Sequence, residues 1–398
     1  MSPASLPVVL PITPGLVHGA LELEPTGHGL LPHRLPAWAR AQCRDLQLMM
    51  VEAQPSGVRL VFDTAATVVE LVTLPTKRVY RGMPPRPDGV YDLLVDGALA
   101  AQAYAAGGKT LLIDVALGTA TEQPGAPQTL RFAGLPARAK RVEIWLPHDE
   151  TTELVSLHAD AAMAPVTATG KRRWLHHGSS ISQGSNATSP CGIWPAVAAA
   201  RAGVDLVNLG YGGSAVLDPF VARTMRDLPA DVISIKIGIN LVNLDLMRQR
   251  AFGPALHGFL DTIREGHPAT PLFVVSPIYC PMHEETPGPT LFDTGAMREG
   301  RILFRATGNP KEVRLGKLAL KVIRHQLHDI VRQRAAEDAH LHYVDGMALY
   351  GPDDHARWPL PDALHPDAAA HRMIGERFAE HVLARRQGST GAEGALDK

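Results

Sequence analysis

The chain is short of cysteine, of net charge and of long apolar runs, and each shortage removes a class of protein. Only three cysteines occur among 398 residues: Cys43, Cys191 and Cys280. Their spacing fits no zinc pattern, and an odd, small number builds no disulfide framework. The formal charge of −1 at pH 7 argues against nucleic acid or an anionic membrane as the main partner, since both are held through an excess of Lys and Arg. No stretch approaches the roughly 18 apolar residues of a membrane span. The opening "MSPASLPVVLPITPGLVHGA" has no basic n-region and its apolar run is broken by prolines, so a cytoplasmic location is expected. What remains is 45% hydrophobic and 20% charged residues, the balance of a packed globular protein. The length suits two domains.

Residues 1–168 read as an antiparallel β-sandwich, jelly-roll-like. "VRLVF", "TVVELVT", "GVYDLLV", "TLLIDVA", "TLRF" and "RVEIWLP" are short runs rich in Val, Leu and Ile, parted by Pro/Gly clusters. Asp96-Gly97 suits a two-residue hairpin, whose central positions need positive φ. This half contains no concentrated chemistry. The small, polar "HADAAMAPVTATG" (158–170) marks the junction.

Residues 169–388 change rhythm. Strand candidates "RRWLHHG", "VDLVNLG", "DVISIKIG", "PLFVVSPI" and "HLHYVDG" alternate with helical segments, which predicts a parallel sheet covered on both faces. One long helix is expected over "KEVRLGKLALKVIRHQLHDIVRQRAAED" and a last one over "PDAAAHRMIGERFAEHVLARR". Residues 389–398 are expected to form a disordered tail.

In such sheets ligands bind beyond the carboxyl ends of the strands. Four clusters fall there: Gly178-Ser179-Ser180-Ile181-Ser182, Asn208-Leu209-Gly210-Tyr211-Gly212-Gly213-Ser214, Gly238-Ile239-Asn240, and Asp362-Ala363-Leu364-His365. Together they supply a hydroxyl, a flexible backbone, an amide and an acid–imidazole pair, the parts of serine acyl transfer. A serine needs a base to take its proton, and the base needs a carboxylate to hold its tautomer. The oxyanion needs donors aimed at it, for which the Ser180 N–H, the Gly213 N–H and the Asn240 amide are candidates.

"GSSIS", "NLGYGGS", "GIN" and "DALH" resemble, in order, the four blocks of the SGNH (GDSL) hydrolases over about residues 172–386. The resemblance implies a three-layer α/β/α flavodoxin-like fold with neither metal nor organic cofactor. It implies Ser180 as nucleophile, Asp362 and His365 as its triad partners, and Gly213 and Asn240 beside the Ser180 N–H in the oxyanion hole. Ser179 stands where the family usually carries aspartate. A β-sandwich ahead of such a domain resembles certain carbohydrate acetylesterases. The expected activity is hydrolysis of a short-chain ester of a small hydroxylated or carbohydrate-like molecule. An acyltransferase with the same triad, and a non-catalytic carbohydrate-binding protein, are the alternatives.

Other features carry weaker expectations. Adjacent residues on a strand point to opposite faces, so His176 and His177 are not expected to share a metal. His371 and His381 are expected to be exposed on the last helix. "GYGGSA" fits a dinucleotide fingerprint, but the next strand lacks an acidic residue at its carboxyl end. The long segment 280–310 is expected to be a substrate flap or a surface excursion packed on the first domain, with Met282, His283 and Phe292 as candidate substrate contacts. The sequence leaves the oligomeric state open.

Overall fold

The computed structural model describes residues 6–83, 86–114 and 117–384; the expected tail 389–398 lies outside the described residues. Two strand-rich sheets stack in the first part of the chain. Their facing side chains, among them Leu60, Phe62, Leu71, Leu93, Ile144 and Leu157, form one apolar core. Pairing is antiparallel except where Val68–Tyr80 runs parallel to Lys109–Asp114. Asp96 and Gly97 take φ values of 51° and 81° between paired Val95 and Ala98, as a two-residue hairpin requires. The sandwich ends with Met163–Pro165 laid against Arg59–Thr64.

Periodicity gave no warning of two helices in the first part of the chain, Ala37–Arg40 and α1 (Leu46–Glu52). Neither belongs to the sandwich. Leu35, Ala39, Leu48 and Val51 are buried in the core of the α/β part instead. Asp45 caps α1 by accepting from the Leu48 N–H at 2.7 Å.

The second core surrounds five parallel strands: β1 (Arg173–Gly178), β2 (Asp205–Gly210), β3 (Val232–Lys236), β4 (Leu272–Val275) and β5 (Leu341–Val344). Their spatial order is β2-β1-β3-β4-β5, which is flavodoxin-like. It reverses beside β1, placing the crevice between the ends of β1 and β3. Trp174, Trp194 and Phe378 fill one face of β1, with ring centroids 5.0–5.9 Å apart.

Three expectations are corrected. The long helix starts only at Leu320, because Gly316 (φ 92°) closes a separate turn, Pro310–Leu315, ahead of it. The segment 280–310 is not an excursion laid on the first domain: it holds the hairpin Thr290–Phe292/Phe304–Ala306 and a short helix, Thr294–Arg298. It packs on the α/β part, where Phe304 donates its N–H to the Asp362 carbonyl at 2.9 Å. His371 is buried, not exposed; its ring bonds the Trp194 N–H and the Ser185 carbonyl. Burial of an imidazole needs such partners.

Candidate active site

β1 ends in Gly178, and the chain turns at once into α2 (Ser180–Gln183). Ser179 is the N-cap, its hydroxyl accepting from the Ile181 N–H. Serine thus does a capping job here, one that aspartate also performs well. The turn leaves Ser180 half-exposed at the crevice.

Ser180 and His365, 185 positions apart, meet with Oγ 2.9 Å from Nε2. His365 Nδ1 donates to Asp362 Oδ2 at 2.7 Å. The other carboxylate oxygen accepts the Leu364 and His365 backbone N–H groups at 2.9 and 2.7 Å. Burial pushes the Asp362 carboxyl up, but the His365 donor and the two backbone donors outweigh it and hold the group below its usual value. It stays ionised and fixes one imidazole tautomer. Ala363 pays for this turn with φ 68°, a strained value for a residue with a Cβ.

The expected oxyanion donors follow the carboxyl ends of β1, β2 and β3, which lie side by side at one edge of the sheet. Asn240 lies in the short helix α3 (Ile239–Asn243), whose N-cap Gly238 has φ 138°. A Cβ on Gly238 would stand 2.6 Å from Pro277 Cγ, so only glycine fits. Asn240 Oδ1 accepts the Ala215 N–H at 3.0 Å, leaving its NH2 as the free end. Among the described residues the Ser180 N–H, the Gly213 N–H and Asn240 Nδ2 donate to no protein group.

A second serine–histidine pair lies nearby. His176 Nε2 is 2.8 Å from Ser182 Oγ, and its Nδ1 meets Ser234 Oγ at 2.7 Å. Both residues are fully buried, and burial depresses the His176 pKa strongly. The pair braces β1 against α2 and β3. His177 points the other way, toward the Leu209 carbonyl and the Phe259 ring. Among the described residues no three His, Cys, Asp or Glu side chains cluster as an ion would need.

Of the expected substrate contacts, His283 is corrected. It is fully buried, and both ring nitrogens are engaged within the segment, by the Thr286 carbonyl and Thr290 Oγ1. Met282 is half-buried against the α/β core. Phe292 stacks on Phe304 at 4.9 Å, and it is Phe304, unnamed by sequence, that sets its ring edge-on to His365 at 5.6 Å. Sequence reasoning also missed Asn186, which donates to Asp362 Oδ2 at 3.1 Å.

Lys236, the last residue of β3, is buried beside the site with its ammonium in no ion pair among the described residues. It lines a small enclosed cavity with Ile181, Ile239, Cys280 and Leu364. Burial, with Arg324 adding repulsion, lowers its pKa to about 8. In the unfolded chain the group keeps its protons up to its ordinary value near 10.5, so stability rises as pH climbs between the two values. Lys236→Met removes the buried charge and keeps the stem. It is expected to stabilise the protein by about 3 kcal/mol at pH 7 and to flatten that rise. Urea unfolding at pH 7 and pH 9.5 would check this.

Comparison with known proteins bears on the family of the α/β part. Residues 177–373 match the model of the GDSL-like Lipase/Acylhydrolase family. No curated protein matches the chain. Among solved structures, the salicylyl-acyltransferase SsfX3 from a tetracycline biosynthetic pathway is 29% identical, with 92% of this chain and 94% of that one covered at a TM-score of 0.74. A GDSL-like lipase candidate from Bacteroides ovatus is 18% identical, with 91% and 93% covered at 0.64. A family two carbohydrate esterase from Clostridium thermocellum is 14% identical, with 82% and 91% covered at 0.54. The last two share the fold over most of this chain. The α/β part of this chain is therefore a GDSL-like lipase/acylhydrolase domain, of SGNH type, carrying an additional N-terminal domain.

Proposed function

We propose that this protein is a serine esterase that cleaves a short-chain carboxylic ester of a small hydroxylated molecule through an acyl-Ser180 intermediate. The observation that carries the reading is the unbroken hydrogen-bond chain Ser180–His365–Asp362 facing three donors without protein acceptors. Ser180 Oγ attacks the ester carbonyl as its proton passes to His365 Nε2. Asp362 stabilises the imidazolium that results. The oxyanion is held by the Ser180 N–H, the Gly213 N–H and Asn240 Nδ2. Collapse expels the alcohol, which takes the proton from His365, and water then repeats the sequence on the acyl-enzyme.

A second reading has its own support. The 29% identical relative is an acyltransferase, and transfer uses the same intermediate with an alcohol in place of water. Turnover of p-nitrophenyl acetate, butyrate and octanoate, with products identified in the presence and absence of alcohol acceptors, tests both. Free acid from acetate as the main product supports the esterase. A dominant new ester supports the transferase, and octanoate preference sinks the short-acyl reading. A non-catalytic carbohydrate-binding role predicts that Ser180 resists a fluorophosphonate.

A further inference from the structure

The Gly212–Gly213 peptide unit holds one of the three oxyanion donors, the Gly213 N–H. Neither glycine has a side chain to anchor it, and Gly213 sits at φ 76°. A peptide between two glycines can rotate as a plate at little steric cost. Because the plate is planar and trans, fixing its carbonyl fixes the direction of its N–H.

The carbonyl is fixed from the N-terminal part of the sequence, by the helix that packs on the α/β core. Gln47 on α1 donates Nε2–H to the Gly212 oxygen at 2.8 Å, across 165 positions. The neighbouring peptide is held as well, the Gly212 N–H donating to Gln183 Oε1 at 2.7 Å. Gln47 itself is exposed, and its Cγ lies 3.5 Å from where a Cβ on Gly213 would stand. Val51, one turn further along α1, lies 3.6 Å from the corresponding point on Gly212, and Ser180 Cβ 3.7 Å from it. Helix α1 therefore forms the back wall of the oxyanion loop. A donor on the carbonyl also polarises the plate and strengthens its N–H as a donor.

We propose that Gln47 is a positioning residue for acyl transfer, aiming the Gly213 N–H at the oxyanion by clamping the Gly212 carbonyl. The N-terminal segment then completes the catalytic centre rather than only flanking it. The proposal rests on the acyl-Ser180 reading. An interaction that matters only once the oxyanion forms lowers kcat when removed and leaves KM nearly unchanged.

The test compares the wild type, Ser180→Ala, Gln47→Leu and Gln47→Lys in the full-length protein. Each is assayed with p-nitrophenyl acetate, labelled with a fluorophosphonate and melted. Gln47→Leu, which keeps size and loses the donor, is expected to lower kcat and the labelling rate by about 10- to 100-fold. KM should stay within about twofold and the melting temperature within about 2 °C, as the side chain is exposed. Gln47→Lys restores a donor and should recover most of the rate. The proposal is overturned if the wild type is labelled at Ser180 and Gln47→Leu reacts equally fast, or if the loss lies in KM, or if Lys performs no better than Leu. A wild type that resists labelling and is no faster than Ser180→Ala overturns the acyl-enzyme reading itself, and the proposal with it.

Discussion

Ser180→Ala is expected to lower kcat/KM for a simple acetate ester by about 10⁴-fold or more, with no change in the melting temperature beyond a degree or two. On the proposed mechanism this hydroxyl forms the covalent intermediate, and deleting it removes its hydrogen bond to His365 at a half-exposed position. The three proposed oxyanion donors survive, so a residue of catalysis over water should persist. Asp362→Asn should cost a similar factor in kcat, about 10⁴, because an amide can present the wrong tautomer to His365. It also changes the acceptor for two backbone N–H groups, so some stability is lost with it. Ser182→Ala is the informative control. Ser182 also faces an imidazole, that of His176, but the pair is sealed from solvent, so fluorophosphonate labelling should persist in this variant. Mass spectrometry of the labelled peptide decides between the two serines; a label that follows Ser182 would refute the assignment.

Arg34→Met should be the most destabilising of these substitutions, by about 4–5 kcal/mol in urea unfolding. The guanidinium is fully buried and donates to four main-chain carbonyls: Gln54 at 2.6 Å, Asn208 at 3.0 Å, Gly210 at 2.6 Å, and Val51. Its own carbonyl accepts from the Tyr211 hydroxyl at 2.8 Å, and its charge lies over the Tyr211 ring. One side chain thus ties the end of β2 to α1 and to the bend that follows it. Methionine keeps the stem but leaves the carbonyls without their donor. Arg34→Lys should recover only a small part, because an ammonium is a point donor and cannot match the planar fork. Since Gly210 leads directly into the loop of the proposed oxyanion donor Gly213, kcat should fall in parallel even where the variant remains folded. An Arg34→Met protein as stable as the wild type would show that the carbonyls find other donors.

The two variants probe different kinds of information. Ser180, Asn240, Asp362 and His365 were legible in the sequence because each stands where a regular strand or its loop stops. A glycine, a hydroxyl, an amide or an imidazole at such a place breaks the apolar pattern, and in a parallel sheet all the carboxyl ends share one edge. Alternation of strands and helices fixed that edge without any coordinate. Gly213 was legible for the same reason, although its direction was not.

Tertiary structure alone decided the rest. Gln47 and Arg34 act on backbone carbonyls, and every residue type offers the same carbonyl, so the acceptor side leaves no mark in the chain. The helix carrying Gln47 sits among the sandwich strands in sequence but packs on the α/β core in space. His176 with Ser182 shows the converse limit, since a reactive-looking pair was removed from chemistry by burial, which depends on packing from distant segments. His283 and Phe304 differ likewise: their loop was conspicuous by its length, but which ring met His365 was set by how the hairpin folded back. Local chemistry at strand ends determined which groups could react. Long-range packing determined where their dipoles point and which of them the solvent can reach, because orientation and burial are properties of neighbours in space.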